Sequence, residues 1–151
     1  MNARLLLAPA LPLAATLLGA CSSISPPTLW VEAATVRQQS DQGAVIEFTI
    51  RADNPNADAL PLRDTDYVLT LNNAEVFKGL RSAQCTLPGF GQQTFTLPAA
   101  VPGPLPRGSI SYRIQGDVEY ILPGAWQETL ADSGLPQPTA DLNATGEIAN
   151  P

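Results

Sequence analysis

The stretch AVIEFTIR, residues 44–51, decides the fold class, because its apolar and polar residues alternate one by one. Ile46, Phe48 and Ile50 point to one face of an extended chain, and the residues between them point to the other. A period of two over this length predicts a β-strand with one buried face. The stretch therefore indicates a sheet that covers a hydrophobic core.

A hairpin is predicted further along the chain. Alternation continues over residues 67–71, YVLTL, and Asn72-Asn73 follows them. Asparagine tolerates the left-handed backbone that a two-residue hairpin turn needs. We therefore expect residues 75–79, EVFKG, to run back antiparallel to residues 67–71.

Later strands follow the same rule. Phe95 and Leu97 alternate with threonines, and large apolar residues take every even position over 110–120 except Gly116. We expect Gly116 to mark a bulge or a bend in that strand. A last edge strand is predicted around residues 142–148.

Turn-forming residues separate these strands. The chain has 15 prolines and 11 glycines, and they occur at intervals typical of short strands. Only residues 125–132 suggest a helix in the mature part, of about two turns. Together, these patterns predict an all-β sandwich of about seven strands around one core.

The N-terminal segment has a different composition. Residues 1–20 read MNARLLLAPALPLAATLLGA, with Arg4 as the single charged residue before a Leu- and Ala-rich run. That run is about 14 residues long, whereas a membrane-spanning helix needs about 20. The segment predicts a secretory signal peptide that is removed from the mature protein.

The end of that segment resembles the lipobox of bacterial lipoproteins, since Leu18, Gly19 and Ala20 precede Cys21. The resemblance implies signal peptidase cleavage before Cys21 and attachment of diacylglycerol to its thiol. Two or more acyl chains anchor a protein stably to a membrane. Apart from this covalent lipid, no cofactor is expected. The alternative is an ordinary signal peptide with an incidental cysteine.

Three segments are therefore expected: a signal peptide at 1–20, a lipidated N-terminus and spacer at 21–28, and one domain at 29–151. The spacer contains SSISPPT, a composition that should stay extended and add no apolar surface to a core. Ser22, rather than aspartate, follows the lipidated cysteine. The lipoprotein resemblance then implies an outer-membrane protein facing the periplasm in bacteria with two membranes, and one on the outer face of the cell otherwise.

The charge balance disfavours nucleic acid as a partner. The chain carries 14 acidic and 8 basic residues, for a formal net charge of −6 at pH 7. Binding to phosphates needs clustered Lys and Arg, which this chain lacks. The charges stand singly, as on a solvated surface that keeps a domain soluble.

The residue inventory also disfavours an enzyme. No histidine is present, so the Ser-His-Asp and Cys-His nucleophiles and histidine metal ligands are excluded. A Ser/Lys dyad would need Lys78, the only lysine, which is better interpreted as a solvated strand residue. If Cys21 carries lipid, Cys85 has no disulfide partner, and a small buried hydrophobe is a better interpretation than a reactive thiol.

Two carboxylate pairs have i, i+2 spacing, which places both members on one face of a strand: Asp64 with Asp66, and Asp117 with Glu119. Such pairs can bind calcium or serve acid–base chemistry. Solvated strand edges are the preferred interpretation of both pairs. No metal site is predicted.

A larger constellation resembles a known family. Its elements, in order, are a first strand, an alternating strand running into Asn54-Pro55-Asn56, then Leu60 and Leu62, YVLTLNN at 67–73, VFKG at 76–79 and a Thr/Leu strand at 94–97. This order resembles the WHy (water stress and hypersensitive response) domain of the late embryogenesis abundant type 2 proteins, over roughly residues 30–122. The resemblance implies a fibronectin type III-like sandwich, no catalytic residues, and protection of membranes or proteins during desiccation or other stress.

Physical chemistry gives Asn54-Pro55-Asn56 a role of its own. Pro55 lacks an N–H group and pushes Asn54 away from the helical region, so strand pairing must stop there. The side-chain amides of Asn54 and Asn56 can satisfy the backbone groups that the interrupted ladder leaves open. This structural turn is preferred over direct contact of either asparagine with a ligand.

Two classes of function remain open at this point. The first is a lipid-anchored envelope protein that protects membranes or client proteins through its surface. The second is an envelope binding module that carries a lipid or another apolar ligand, or that docks a partner protein through an exposed edge strand.

Overall fold

The computed structural model describes residues 24–124 and 133–150. These residues form strands, turns and irregular segments, and they include no helix. The prediction of an all-β fold is therefore confirmed. The eight strands are β1 (Thr28–Gln39), β2 (Gly43–Asp53), β3 (Leu60–Leu71), β4 (Ala74–Ser82), β5 (Thr86–Leu87), β6 (Gln92–Pro102), β7 (Gly108–Tyr120) and β8 (Thr139–Asn150).

The strands form two antiparallel sheets. One has the order β1-β2-β6, and the other has the order β4-β3-β7-β8, with the short β5 paired to β3. The sheets also meet at their edges, where β1 contacts β8 and β4 contacts β6. The result is a β-sandwich, in which each sheet buries one face against the other.

The core lies between the sheets and follows the predicted period of two. Ile46, Phe48 and Ile50 of β2 are fully buried, as are Tyr67 and Leu69 of β3. The residues between them are half-buried or exposed. Phe95 and Leu97 in β6, and Ile110, Ile114 and Val118 in β7, extend the same buried layer.

The predicted hairpin is present. Leu71 of β3 pairs with Ala74 of β4, which leaves Asn72 and Asn73 as a two-residue turn. Their φ angles are 47° and 68°, the left-handed conformation that matches the twist of paired strands.

The predicted C-terminal edge strand is also present, as β8. It begins and ends beyond residues 142–148, because it pairs with β7 from Glu119 to Gly108 without a register shift. It forms one edge of its sheet.

The prediction of a bulge at Gly116 is wrong. Gly116 pairs regularly with Tyr67 on one side and with Leu142 on the other. A Cβ atom at this position would lie 2.3 Å from the carbonyl oxygen of Asp66 and 2.7 Å from the Cβ of Tyr67. Glycine is therefore needed for the close approach of β3, whose own register shift lies between Leu62 and Thr65.

The expectation that residues 22–28 contribute nothing to the core is also wrong. Ile24 packs against the core cluster, Pro27 is buried, and Thr28 already begins β1. The serines and prolines suggested an extended spacer, but the apolar side chains of Ile24 and Pro27 are partly or fully buried against the sandwich. The predicted signal peptide at 1–20, Cys21 and the candidate helix at 125–132 lie outside the described residues.

Tyr67 links the two sheets through its hydroxyl group. The ring is buried between them, at 5.3 Å from the ring of Phe77. Its hydroxyl donates a hydrogen bond of 2.5 Å to the backbone carbonyl of Pro98 in β6. β6 is an edge strand of its sheet. The N and C=O of one strand residue point to the same side, so the nitrogen of Pro98 faces the unpaired edge together with its carbonyl. Proline at this position removes no hydrogen bond from the sheet.

Burial also changes the acidity of this tyrosine. It raises the pKa of Tyr67 from the ordinary value of 10 to about 12, while Arg81 beside the hydroxyl opposes part of the rise. The neutral hydroxyl is therefore the form that the folded protein favours.

We expect Tyr67→Phe to lower the free energy of unfolding at pH 7 by about 1–2 kcal/mol, because the partly buried carbonyl of Pro98 loses its partner. The hydroxyl's effect should also depend on pH. Its contribution to the free energy of unfolding is complete below pH 10 and is lost as the pH rises through about 12. Between these two values the unfolded chain releases a proton that folded Tyr67 keeps. Chemical denaturation of both proteins between pH 7 and 12 measures both effects.

The variant should therefore lose less stability than the parent above pH 10. Some alkaline loss should remain, because burial also raises the pKa of Tyr112 and of Tyr120. Equal stability of variant and parent at neutral pH would show that the hydroxyl does not hold the sheets together.

Candidate functional site

Asn54-Pro55-Asn56 lies at the end of the sandwich where the chain enters β1. We call this region the entry end and define it by residues 24–27, 54–59, 83–91, 121–124 and 133–138. Pairing between β2 and β6 stops at Asp53 and Gln92. Pro55 is exposed, whereas the two asparagines beside it turn inward and are buried.

Asn54 holds three neighbouring segments together. Its side chain is 3% exposed, and its Nδ2 donates to the carbonyls of Asp58 at 2.8 Å and Pro88 at 3.1 Å. Its Oδ1 accepts hydrogen bonds of 2.9 Å from both the backbone N and the Nδ2 of Asn56. The backbone N–H of Asn54 donates to the carbonyl of Gly91.

Asn56 fixes the incoming chain. Its Nδ2 donates to the carbonyl of Ser25 at 2.8 Å, and its Oδ1 accepts from the backbone N of Ser25 at 2.9 Å. The amide thus pairs with Ser25 as a neighbouring strand would. The backbone carbonyl of Asn56 accepts a further bond of 2.7 Å from the N–H of Phe90.

These contacts use all four N–H groups of the two side-chain amides. Each amide group provides two donors. A ligand could take a hydrogen bond from Asn54 or Asn56 only by displacing part of the turn. Both side chains therefore serve the fold, joining the β2–β3 loop, the β5–β6 loop and the N-terminal segment.

The carboxylate pairs lie on the outer face of the larger sheet. Asp66 of β3 is paired with Asp117 of β7, which is paired in turn with Asp141 of β8. All three are exposed. Across the described part of the chain, no group of three acidic, cysteine or histidine residues could hold a metal ion. Like charges on neighbouring strands repel one another mildly, so a solvated row accounts for them.

The two candidate nucleophiles are Lys78 and Cys85, and neither has surroundings, among the described residues, that would activate it. Lys78 is exposed on β4, opposite Val68. Cys85 is half-buried, packs against the core, and has its thiol pKa raised by burial. A raised pKa lowers the fraction of reactive thiolate. Within residues 24–124 and 133–150, no helix is long and apolar enough to cross a membrane.

Two features of this end could not be read from the sequence. The pairing of Ser25 with Asn56 joins residues 31 positions apart. Phe90 is left with its side chain 75% exposed, beside an open groove of about 300 Å³ that Thr28 and Pro55 also line. A phenylalanine between two glycines, Gly89 and Gly91, is the one local signal that marks this loop.

Comparisons with known proteins give a family and a fold. The family model of late embryogenesis abundant proteins (LEA_2) matches residues 49–131. No curated protein sequence matches the chain.

Several solved structures resemble the sandwich. The solution structure of AT1g01470 from Arabidopsis thaliana has a TM-score of 0.64 and 16% identity, with 85% of each chain covered. That of At2g46140.1 has a TM-score of 0.62 and 16% identity, covering 83% of this chain and 71% of that one. A protein from Archaeoglobus fulgidus has a TM-score of 0.51 and 10% identity, covering 85% and 98%. At these identities the likeness concerns the fold alone.

The asparagine network predicts a large effect for Asn54→Ala. We expect the free energy of unfolding to fall by about 2–4 kcal/mol, because the buried N–H of Asn56 and the partly buried carbonyls of Asp58 and Pro88 lose their partners. Urea denaturation measures the change. The matched control is Asn143→Ala on the exposed face of β8, which should shift stability by no more than about 0.5 kcal/mol. Equal effects of the two variants would show that Asn54 does not hold the turn.

Proposed function

The chain belongs to the LEA_2 family of late embryogenesis abundant proteins, and from this premise we propose that it is a lipid-anchored, non-enzymatic protein of the cell envelope. Its role is to protect membranes or proteins during desiccation or other stress. The observation that carries the proposal is the family match over residues 49–131, which covers most of the sandwich.

The absence of an enzymatic role is supported by the sequence as well as by the family. The chain has no histidine, and the half-buried thiol of Cys85 has its pKa raised rather than lowered by its surroundings. The buried amides of Asn54 and Asn56 are bonded within the fold. A protein of this kind acts through its surface, by contact with partners during loss of water.

The finer family assignment rests on the turn and its partners. Asn54-Pro55-Asn56, followed by the Tyr67 strand and its hairpin, supports a WHy-type domain within the larger family. In this reading, the three residues are a structural signature, because their side chains hold the entry end together.

The lipid anchor is supported by Leu18-Gly19-Ala20-Cys21 and by the apolar segment before it. Cleavage before Cys21 would leave the acylated cysteine three residues before Ile24, which packs against the core. Acyl chains on that cysteine would hold the whole domain at a membrane. Ser22 then favours the outer membrane, with the domain in the periplasm, in a cell with two membranes.

Replacing the lipidated cysteine tests the anchor. We expect Cys21→Ser to move the protein from the membrane fraction to the soluble fraction without unfolding it, because residue 21 precedes the first strand, which begins at Thr28. Cys85→Ser is the matched control and should leave the protein on membranes. Fractionation followed by mass spectrometry of the mature N-terminus measures both. A Cys21→Ser protein that still sediments with membranes after a salt wash would show that lipid is not the anchor.

A drying assay tests the protective role. The purified Cys21→Ser protein should preserve the activity of a dehydration-sensitive enzyme through drying and rehydration better than an equal mass of serum albumin, since the proposed protection acts through the protein surface. Protection no better than that of albumin would contradict the proposal. Native mass spectrometry of the same sample separates the alternative function, because a stoichiometric, non-covalently bound lipid is expected only of a lipid carrier.

A further inference from the structure

We propose that the entry end of the sandwich rests on the lipid bilayer, with Phe90 and Leu135 inserted among the lipids, so that the domain stands upright on the membrane. This inference rests on the proposed lipid anchor at Cys21. It adds an orientation and a protein surface that contacts lipid directly.

The length of the tether places this end at the membrane. Only three residues of chain length separate Cys21 from Ile24, and a fully extended chain spans about 3.3–3.6 Å per residue. Ile24 packs against the core, and both backbone groups of Ser25 are bonded to Asn56. The entry end therefore begins within about 10–11 Å of the acylated cysteine, whatever path the tether takes.

Phe90 is held in an outward position by its backbone. Its N–H donates to the carbonyl of Asn56, and the N–H of Gly91 donates to the carbonyl of Pro88. Its φ angle is 49°, which is uncommon for a large residue. The preceding Gly89 has no room for a side chain, because a Cβ atom would lie 1.9 Å from the carbonyl oxygen of Ala57. A strained, fixed and solvent-exposed phenylalanine points to a contact outside the domain.

A second exposed hydrophobic residue lies at the same end. Leu135 is 53% exposed in the segment that leads into β8. Leu80 is the remaining large hydrophobic residue with high exposure among those described, at 61%. It lies on the edge strand β4, opposite Asp66, which is about halfway along β3. Phe90 and Leu135 thus share one end, whereas Leu80 points sideways from the sandwich.

The described loops of the entry end carry almost no charge. Their sequences are ISPP at 24–27, NPNADA at 54–59, AQCTLPGFG at 83–91, ILPG at 121–124 and SGLPQP at 133–138, and Asp58 is their single charged residue. The opposite end has far fewer loop residues, at 40–42, 72–73 and 103–107, and yet carries Asp41 and Arg107.

A bilayer interface fits this surface better than a charged partner does. Protein surfaces that lie on membranes bury apolar side chains about 5–10 Å deep, at the boundary of headgroups and acyl chains. The proposed contact needs no anionic lipid, since the entry end offers no cluster of basic residues among those described. Strands of 11–13 residues would then carry the opposite end roughly 35–40 Å away from the membrane.

Tryptophan scanning on the lipidated, full-length mature protein tests this orientation. Phe90→Trp, Leu135→Trp and the sideways control Leu80→Trp are reconstituted into vesicles of neutral phosphatidylcholine with brominated acyl chains. The unsubstituted protein, with Trp30 and Trp126, sets the baseline. We expect the added emission at positions 90 and 135 to be blue-shifted and quenched by the bromines, and the emission at position 80 to be unaffected.

Flotation of the same vesicles separates the orientation from the anchor. Protein that floats with the vesicles while positions 90 and 135 stay unquenched would overturn the upright orientation and leave the anchor intact. Equal quenching at 80 and 90 would mean that the sandwich lies flat, which also overturns it. Protein that does not float would remove the anchor and this inference together. Near-ultraviolet circular dichroism of each variant establishes that it is folded before it is reconstituted.

Discussion

The sandwich depends on the way in which Tyr67 fits between its two sheets. The ring is fully buried, and its hydroxyl bonds to a carbonyl of the opposite sheet. On the neighbouring strands, Tyr67 is paired with Gly79 and Gly116, which offer no side chains to compete for space. Pro98 supplies the acceptor from an edge where its missing N–H costs nothing. These separate sequence features therefore serve one contact, and that contact fixes how the sheets face each other.

At the entry end, side-chain hydrogen bonds again join separate parts of the chain. A turn that proline interrupts leaves backbone groups without partners, and a buried unpaired group is costly. Asn54 and Asn56 meet this need with side-chain amides, which can donate and accept at once. Because their partners belong to three different segments, the local repair of one strand end also fixes the N-terminal segment and the loop that carries Phe90.

Strands and faces could be predicted from the sequence, whereas most partners could not. A period of two identifies the buried residues of β2, β3 and β7, and Asn72-Asn73 identifies the hairpin, because these signals are local. The bulge predicted at Gly116 is wrong because the role of this glycine depends on a neighbouring strand and not on a local signal. Within β7 it interrupts the apolar alternation, but a side chain at this position would clash with Tyr67 of β3. The contacts of Ile24 and Ser25 escaped prediction because their partners, the core cluster and Asn56, come from distant parts of the chain. The alternation of apolar and polar residues shows which face of a strand a residue occupies, but it does not show which residue lies opposite.

The asparagine network has a mechanical consequence for an anchored protein. If the proposed lipid is attached to Cys21, these bonds brace the segment that carries it, because the backbone of Ser25 is bonded to Asn56 and Asn54 links Asn56 to the β5–β6 loop. These bonds lie within the protein and need no water to complete them. Such a joint suits the proposed protective role, because hydrogen bonds between protein groups do not depend on the water that is lost during drying. The proposed anchor and the proposed lipid contact would thus lie in one rigid region, the entry end, and would leave the outer faces of both sheets available to partners.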